Sequence, residues 1–159
     1  MALLAGVKGM EKNETSEILT LNIRRQFNAS VDAVFQAWTR ADTLSQWFAP
    51  SDDFTVKVPV MDVQVGGQYR IEMTNPDGET FSAIGEYLEV SRPGKLVFTW
   101  SWEGGDSGML VTIALADLGG KTELLLTHEK FPDVGPRDHY EEGWTGCLNR
   151  LNELVDKVE

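Results

Sequence analysis

Apolar residues near the C-terminus recur at the spacing of an α-helix. Charged and amide side chains fill the positions between them, from Pro136 to Val158. This pattern predicts an amphipathic helix of roughly six turns with one buried face. Pro136 suits the first helical position, where its missing N–H costs nothing. The predicted buried stripe contains Tyr140, Trp144, Cys147, Leu148, Leu151, Val155 and Val158.

Between residues 54 and 128 the hydrophobic period changes to two, which is typical of strands with one buried face. Turn-forming residues separate the runs, and the strongest turn is Asn75-Pro-Asp-Gly78. Such short turns imply antiparallel neighbours. Pro59 indicates a strand end or an edge strand, and Gly85 indicates a bulge or bend. The predicted strands are 54–60, 69–73, 80–90, 96–102, 109–115 and 122–128.

A further strand and two short helices are predicted before residue 54. Alternation over 18–27 indicates the strand. Ser30 is a good N-cap for a helix through Trp38, and Asp42 or Thr43 can cap a second helix through Phe48. The predicted fold is therefore α+β: seven antiparallel strands, with two short helices after the first, and a curved sheet face that wraps the long C-terminal helix.

Two glycines, Gly143 and Gly146, interrupt the predicted C-terminal helix. Each costs about 1 kcal/mol relative to alanine in a helix interior. Two explanations remain open at this stage. One is close packing of the helix on the sheet, and the other is room for a ligand beside Trp144.

Composition and charge narrow the classes of function. The net charge of −11 disfavours binding to nucleic acid or to an anionic membrane surface. No apolar run approaches the length of a transmembrane helix. The single cysteine, Cys147, excludes an intramolecular disulfide and favours a cytoplasmic location. Because it lies on the apolar stripe with no histidine near it in sequence, we interpret Cys147 as a buried hydrophobe rather than a nucleophile.

Three stretches resemble the START-like superfamily, also called SRPBCC or the polyketide cyclase and Bet v-type fold. They are FNASVDAVFQAW at 27–38 with LSQWF at 44–48, GEYLEV at 85–90 with RPGKLVFTW at 92–100, and EGW at 142–144 with the leucines that follow. Within the superfamily they resemble the AHSA-type branch, named after the C-terminal domain of the activator of the heat-shock chaperone ATPase. The resemblance implies a helix-grip fold with a hydrophobic cavity between the sheet and the C-terminal helix.

The inward strand faces and the helix stripe converge on large aromatic and sulfur-containing side chains. Aromatic rings can line an apolar pocket, and methionine adapts to varied shapes. The alternative is that these side chains simply fill the core. The predicted ligand-binding set is Trp38, Tyr69, Met73, Phe98, Trp100, Trp102, Met109, His128, Phe131 and Trp144.

The histidines are the weak candidates for catalysis. His128 ends the last predicted strand and His139 begins the long helix, and either can act as an acid or base if it is buried beside a substrate. One cysteine and two histidines without tight spacing do not predict a metal site. No motif for a nucleotide cofactor is present, so we expect no cofactor.

Three hypotheses of function follow. The first is a non-enzymatic domain that binds a hydrophobic small molecule in the cavity. The second is a cavity-based enzyme, by analogy with polyketide cyclases. The third, ranked lowest, is a chaperone-interacting module. We expect a flexible leader at 1–16 and one domain at 17–159, and an exposed edge strand leaves a homodimer open.

Overall fold

The computed structural model describes residues 20–131 and 134–158. The predicted leader and the side chain of Val158 lie outside the described residues. The elements run β1 (Leu21–Phe27), α1 (Val31–Thr39), α2 (Ala41–Trp47), β2 (Thr55–Met61), β3 (Gln68–Thr74), β4 (Thr80–Ser91), β5 (Lys95–Trp102), β6 (Met109–Asp117), β7 (Thr122–Glu129) and α3 (Val134–Val158). This order confirms the α+β helix-grip prediction.

The seven strands form one antiparallel sheet in the order β1-β7-β6-β5-β4-β3-β2. The first strand pairs with the last, so β1 and β2 form the two edges. Pro59 lies in edge strand β2, as predicted, within a shift of register between Lys57 and Val60. A proline and a bulge both blunt an edge strand against pairing with another chain.

Alternation along the strands places one face of the sheet against the helices. In β3 the side chains of Tyr69, Ile71 and Met73 are buried, while Arg70 and Glu72 lie half-exposed on the outer face. The strands β5, β6 and β7 follow the same period-two rule. The buried inner faces form a continuous core with the helices.

The two short helices close one end of this core. Ser30 caps α1, as predicted, and its hydroxyl accepts from the N–H of Ala33 at 3.2 Å. The buried indole of Trp47 donates to the carbonyl of Ala37 at 3.0 Å and so ties α2 to α1. Helix α2 begins at Ala41, earlier than the cap at Asp42 or Thr43 predicts, and ends at Trp47.

The register irregularity in β4 is not at Gly85, where the sequence predicts a bulge or bend. It falls between Tyr87 and Glu89, where the pairing with β5 shifts by one residue. Gly85 instead permits a close approach: a Cβ there would lie 2.1 Å from the carbonyl oxygen of Thr99 and 2.6 Å from the ring of Tyr69. The hydroxyl of Tyr69 uses this space to donate to the Thr99 carbonyl at 2.6 Å.

Helix α3 begins at Val134, two residues before the predicted start at Pro136. Pro136 still lies in the first turn, where N–H groups have no partner within the helix. The described stripe is buried as predicted, with Tyr140 only partly covered. Among the described residues, α3 packs mainly against β1, α1 and α2.

The two helix glycines have different roles. A Cβ on Gly146 would lie 2.1 Å from the carbonyl oxygen of Pro50, in the loop after α2. Close packing therefore explains Gly146, but the partner is a loop and not the sheet. A Cβ on Gly143 would meet nothing within 4 Å, so the space beside this residue is open.

Alanine substitutions are expected to act in opposite directions at these two glycines. Gly143→Ala should raise the free energy of unfolding by about 0.5–1 kcal/mol, because alanine has the better helix propensity and meets no neighbour. Gly146→Ala should lower it by about 1–3 kcal/mol, because the Pro50 backbone must move. Urea unfolding of both variants checks this, and equal stabilisation by the two would contradict the difference in packing.

Candidate functional site

A cavity of about 580 Å³ lies between the inner sheet face and the N-terminal half of α3. Its walls come from β3 and β5, the loop after α2, the turn between β5 and β6, and α3. The cavity occupies the space between α3 and the strands β3 and β5. The lining residues are Phe48, Pro50, Met73, Trp100, Trp102, Asp106, His139, Tyr140, Gly143, Trp144 and Cys147.

Aromatic rings form most of the cavity wall. Trp100 and Trp102 both face inward because they are two residues apart on β5, and Tyr140 and Trp144 lie one turn apart on α3. The Trp100 ring is 5.4 Å from that of Trp102 and 5.4 Å from that of Trp144. The Phe48 ring meets Trp144 edge to face at 5.5 Å. These mutual contacts hold each ring in place around the open space.

The polar ends of two of the three cavity tryptophans are used inside the protein. The indole of Trp144 donates to Nδ1 of His128 at 3.0 Å. The indole of Trp102 donates to the hydroxyl oxygen of Tyr140. The Nε1 atom of Trp100 is buried and has no hydrogen bond within the described part of the chain. The tryptophans therefore present carbon and π surface to the cavity rather than N–H donors.

His128 is fully buried behind this wall, at 0% exposure. Its ring stacks on Phe131 at 4.4 Å and contacts Trp100, Tyr140 and Trp144. Burial lowers its pKa from 6.5 to about 3, so the imidazole is neutral near pH 7. Since Nδ1 accepts from Trp144, the proton resides on Nε2, which has no hydrogen-bond partner among the described residues. His128 thus fixes the indole of Trp144.

The lining carries little ionisable chemistry. Burial raises the pKa of the Tyr140 hydroxyl to about 12 and that of the Cys147 thiol to about 12, so both are neutral near pH 7. The remaining ionisable side chains of the lining, Asp106 and His139, belong to exposed residues. The cavity is therefore an apolar, aromatic space with its charge at the rim.

A family model described as "Activator of Hsp90 ATPase homolog 1-like protein" (AHSA1) matches residues 28–156. The chain belongs to the AHSA1 family. No curated protein is similar enough in sequence to be matched to it. The match agrees with the resemblance carried by the three sequence stretches.

Solved structures of AHSA1-like proteins share the fold. A protein from Chromobacterium violaceum is 28% identical, with a TM-score of 0.80, over 86% of this chain and 96% of its own. The AHSA1 protein of Silicibacter pomeroyi is 24% identical, with a TM-score of 0.78, over 88% and 99%. The AHSA1-like protein of Aeromonas hydrophila is 24% identical, with a TM-score of 0.71, over 87% and 94%.

In the structure, the residues predicted to bind a ligand occupy three kinds of position. Met73, Trp100, Trp102 and Trp144 line the cavity. Trp38, Tyr69 and Phe98 surround a residual space of only about 20 Å³ deeper in the core. Met109, His128 and Phe131 are buried in the core next to the cavity wall.

Several lining residues are absent from the predicted set. Phe48 and Pro50 lie just beyond α2, and Asp106 lies in a turn, so hydrophobic periodicity gives no signal for them. Tyr140 and Cys147 do carry a signal, because both belong to the predicted helix stripe. The two catalytic candidates are separated: His139 lines the cavity, and His128 lies behind its wall.

The described residues provide neither a metal site nor a membrane-spanning helix. They contain no cluster of three or more His, Cys, Asp or Glu side chains that is able to hold a metal ion. None of the described helices combines the length and apolar character needed to cross a membrane.

The free energy of unfolding is expected to decrease as the pH is lowered, because His128 is buried in its neutral form. The folded-state pKa of about 3 lies below the ordinary 6.5, so the unfolded chain binds a proton that the folded chain does not. This contribution is complete above pH 6.5 and is lost as the pH falls towards 3. Between pH 7 and pH 5 we expect urea unfolding to show a loss of about 2 kcal/mol.

Two variants separate His128 from other titrating groups. His128→Asn keeps an acceptor for the Trp144 indole but does not titrate, so its stability should be nearly constant over the same pH interval. His139→Asn removes an exposed histidine and should retain the wild-type pH dependence. A His128→Asn variant with an unchanged pH dependence would refute the assignment.

Proposed function

We propose that this AHSA1-family protein binds a small apolar or aromatic molecule in the cavity between the sheet and α3. The observation that carries the proposal is an aromatic-lined space of about 580 Å³ beside Gly143. Ligand pockets typically measure 300–1,000 Å³ and are lined mainly by apolar side chains, so the space suits a molecule of several rings.

Hydrophobic burial supplies the affinity in this proposal. Each Å² of apolar surface removed from water contributes roughly 25 cal/mol before the costs of association. The walls are preorganised, because Trp144 is held by His128 and Trp102 bonds to Tyr140. A preorganised wall loses little conformational entropy when a ligand enters.

Binding without catalysis agrees best with the chemistry of the lining. The Cys147 thiol and the Tyr140 hydroxyl both have a pKa of about 12, which leaves neither as an anionic nucleophile near pH 7. His128 is neutral and already bonded to Trp144 at Nδ1. We therefore assign His128 a positioning role. The cytoplasmic location favoured by the lone cysteine is part of the same proposal.

Filling the cavity from α3 tests the proposal. Gly143→Phe places a ring where an added Cβ meets nothing within 4 Å, so the fold should persist while the ligand space shrinks. The neutral fluorophore N-phenyl-1-naphthylamine should bind the wild type saturably, with enhanced emission. Its affinity for Gly143→Phe should fall by about tenfold or more, because the ring occupies apolar area that the fluorophore would bury.

The matched control places the same ring outside the cavity. Glu153 is exposed on the same helix, so Glu153→Phe adds equal bulk without entering the space. This variant should bind the fluorophore as the wild type does. Absence of saturable binding to the wild type, or equal binding by Gly143→Phe, would reject the cavity as the binding site. Circular dichroism of each variant verifies that it is folded.

A further inference from the structure

The electrostatics of the cavity narrow the class of ligand. We propose that the cavity selects a cation: an amine or quaternary ammonium group carried on an apolar or aromatic body. The inference rests on the proposed function, since it names the ligand class of the same cavity. The evidence is that, among the described residues, the cavity wall presents aromatic rings to a ligand and lacks accessible indole N–H donors and cationic side chains of lysine or arginine.

The wall offers π surface from several sides. Trp100, Trp102, Trp144, Tyr140 and Phe48 all line the space. Trp100 and Trp102 are nearly perpendicular, at 89°, and so are Phe48 and Trp144, at 89°. Trp102 and Tyr140 are closer to parallel, at 28°, so the lining rings differ in orientation and do not form a single flat layer. The face of an aromatic ring attracts a cation, by about 0.5–2 kcal/mol or more when water is excluded.

Within the described residues, the cavity wall lacks the accessible indole N–H donors and the lysine or arginine side chains that would bind an anion. The indole N–H of Trp144 is bonded to His128, that of Trp102 is bonded to Tyr140, and that of Trp100 is buried. Within the described part of the chain, the lining contains no lysine or arginine. An anionic headgroup would therefore lose its hydration without gaining donors in exchange.

The charge at the rim has the sign that a cation needs. Asp106 contributes a carboxylate to the lining from the turn between β5 and β6. The net charge of −11 adds a long-range field that attracts cations and repels anions. His139 is the other ionisable residue at the rim.

An isosteric pair of ligands isolates the charge. The compounds [4-(hydroxymethyl)phenyl]trimethylammonium and 4-tert-butylbenzyl alcohol share one shape and differ by nitrogen in place of a central carbon. Binding to the full-length protein is measured by isothermal titration calorimetry. We expect the cation to bind more tightly than the neutral compound. In a cavity that is merely apolar, the neutral compound binds more tightly, because the cation must give up its hydration.

The outcomes separate the inference from the function on which it rests. Tighter binding by 4-tert-butylbenzyl alcohol overturns cation selection and leaves the apolar cavity supported. Binding by neither compound, together with failure of the fluorophore experiment, rejects the cavity as a ligand site altogether. Tighter binding by the ammonium compound supports both, and equal binding overturns cation selection.

Removal of the rim carboxylate provides a second measurement. Asp106→Asn should weaken binding of the ammonium compound by about two- to fivefold, the range typical of an exposed charge pair. Asp32→Asn, at an exposed position in the first turn of α1 outside the cavity lining, removes the same charge without touching the cavity. It should leave the affinity unchanged. Equal weakening by the two variants would show that only net charge acts, which overturns the role of Asp106.

Discussion

The close approach of Gly146 to the carbonyl of Pro50 sets the position of the long helix. No side chain fits between the two backbones, so α3 is held against the loop that follows α2. From Cys147 onwards its stripe is buried in the core. One turn earlier, Gly143 faces open space. The helix is fixed near its middle, and its N-terminal part faces open space, which leaves a cavity over β3 and β5. Phe48 and Pro50, from the loop after α2, complete the cavity wall.

The character of the cavity follows from how its polar atoms are satisfied. Buried N–H groups need acceptors, and here His128 and Tyr140 provide them behind the wall surface. The imidazole accepts from Trp144 in its neutral form, which burial favours by lowering its pKa. Fold stability and wall geometry therefore depend on the same group. The unpartnered Nε2 of His128 and Nε1 of Trp100 are a cost of this arrangement within the described residues.

Hydrophobic periodicity predicted the fold well because it reports which face of an element is buried. The stripe on α3 and the inward residues of β3 and β5 are where the pattern places them. Periodicity does not report whether a residue on the buried face fills the core or lines a cavity. Phe98 and Trp100 share one face of β5, yet Phe98 fills the core and Trp100 lines the cavity. That difference depends on where α3 approaches the sheet. The loop residues Phe48, Pro50 and Asp106 follow no period, and a close approach explains Gly85 where the sequence suggested a bulge or bend.

The tryptophans of this chain form one continuous series of neighbouring rings. Ring centroids are separated by 4.8 Å from Trp47 to Trp38, 6.1 Å from Trp38 to Trp144, and 5.4 Å for each of the steps to Trp100 and on to Trp102. The five tryptophans of the sequence are all included. At these separations, excitation absorbed by one indole is expected to pass to its neighbours along the series. A quenching molecule bound at the cavity end should therefore reduce emission from rings that it does not touch, including that of Trp47 in α2.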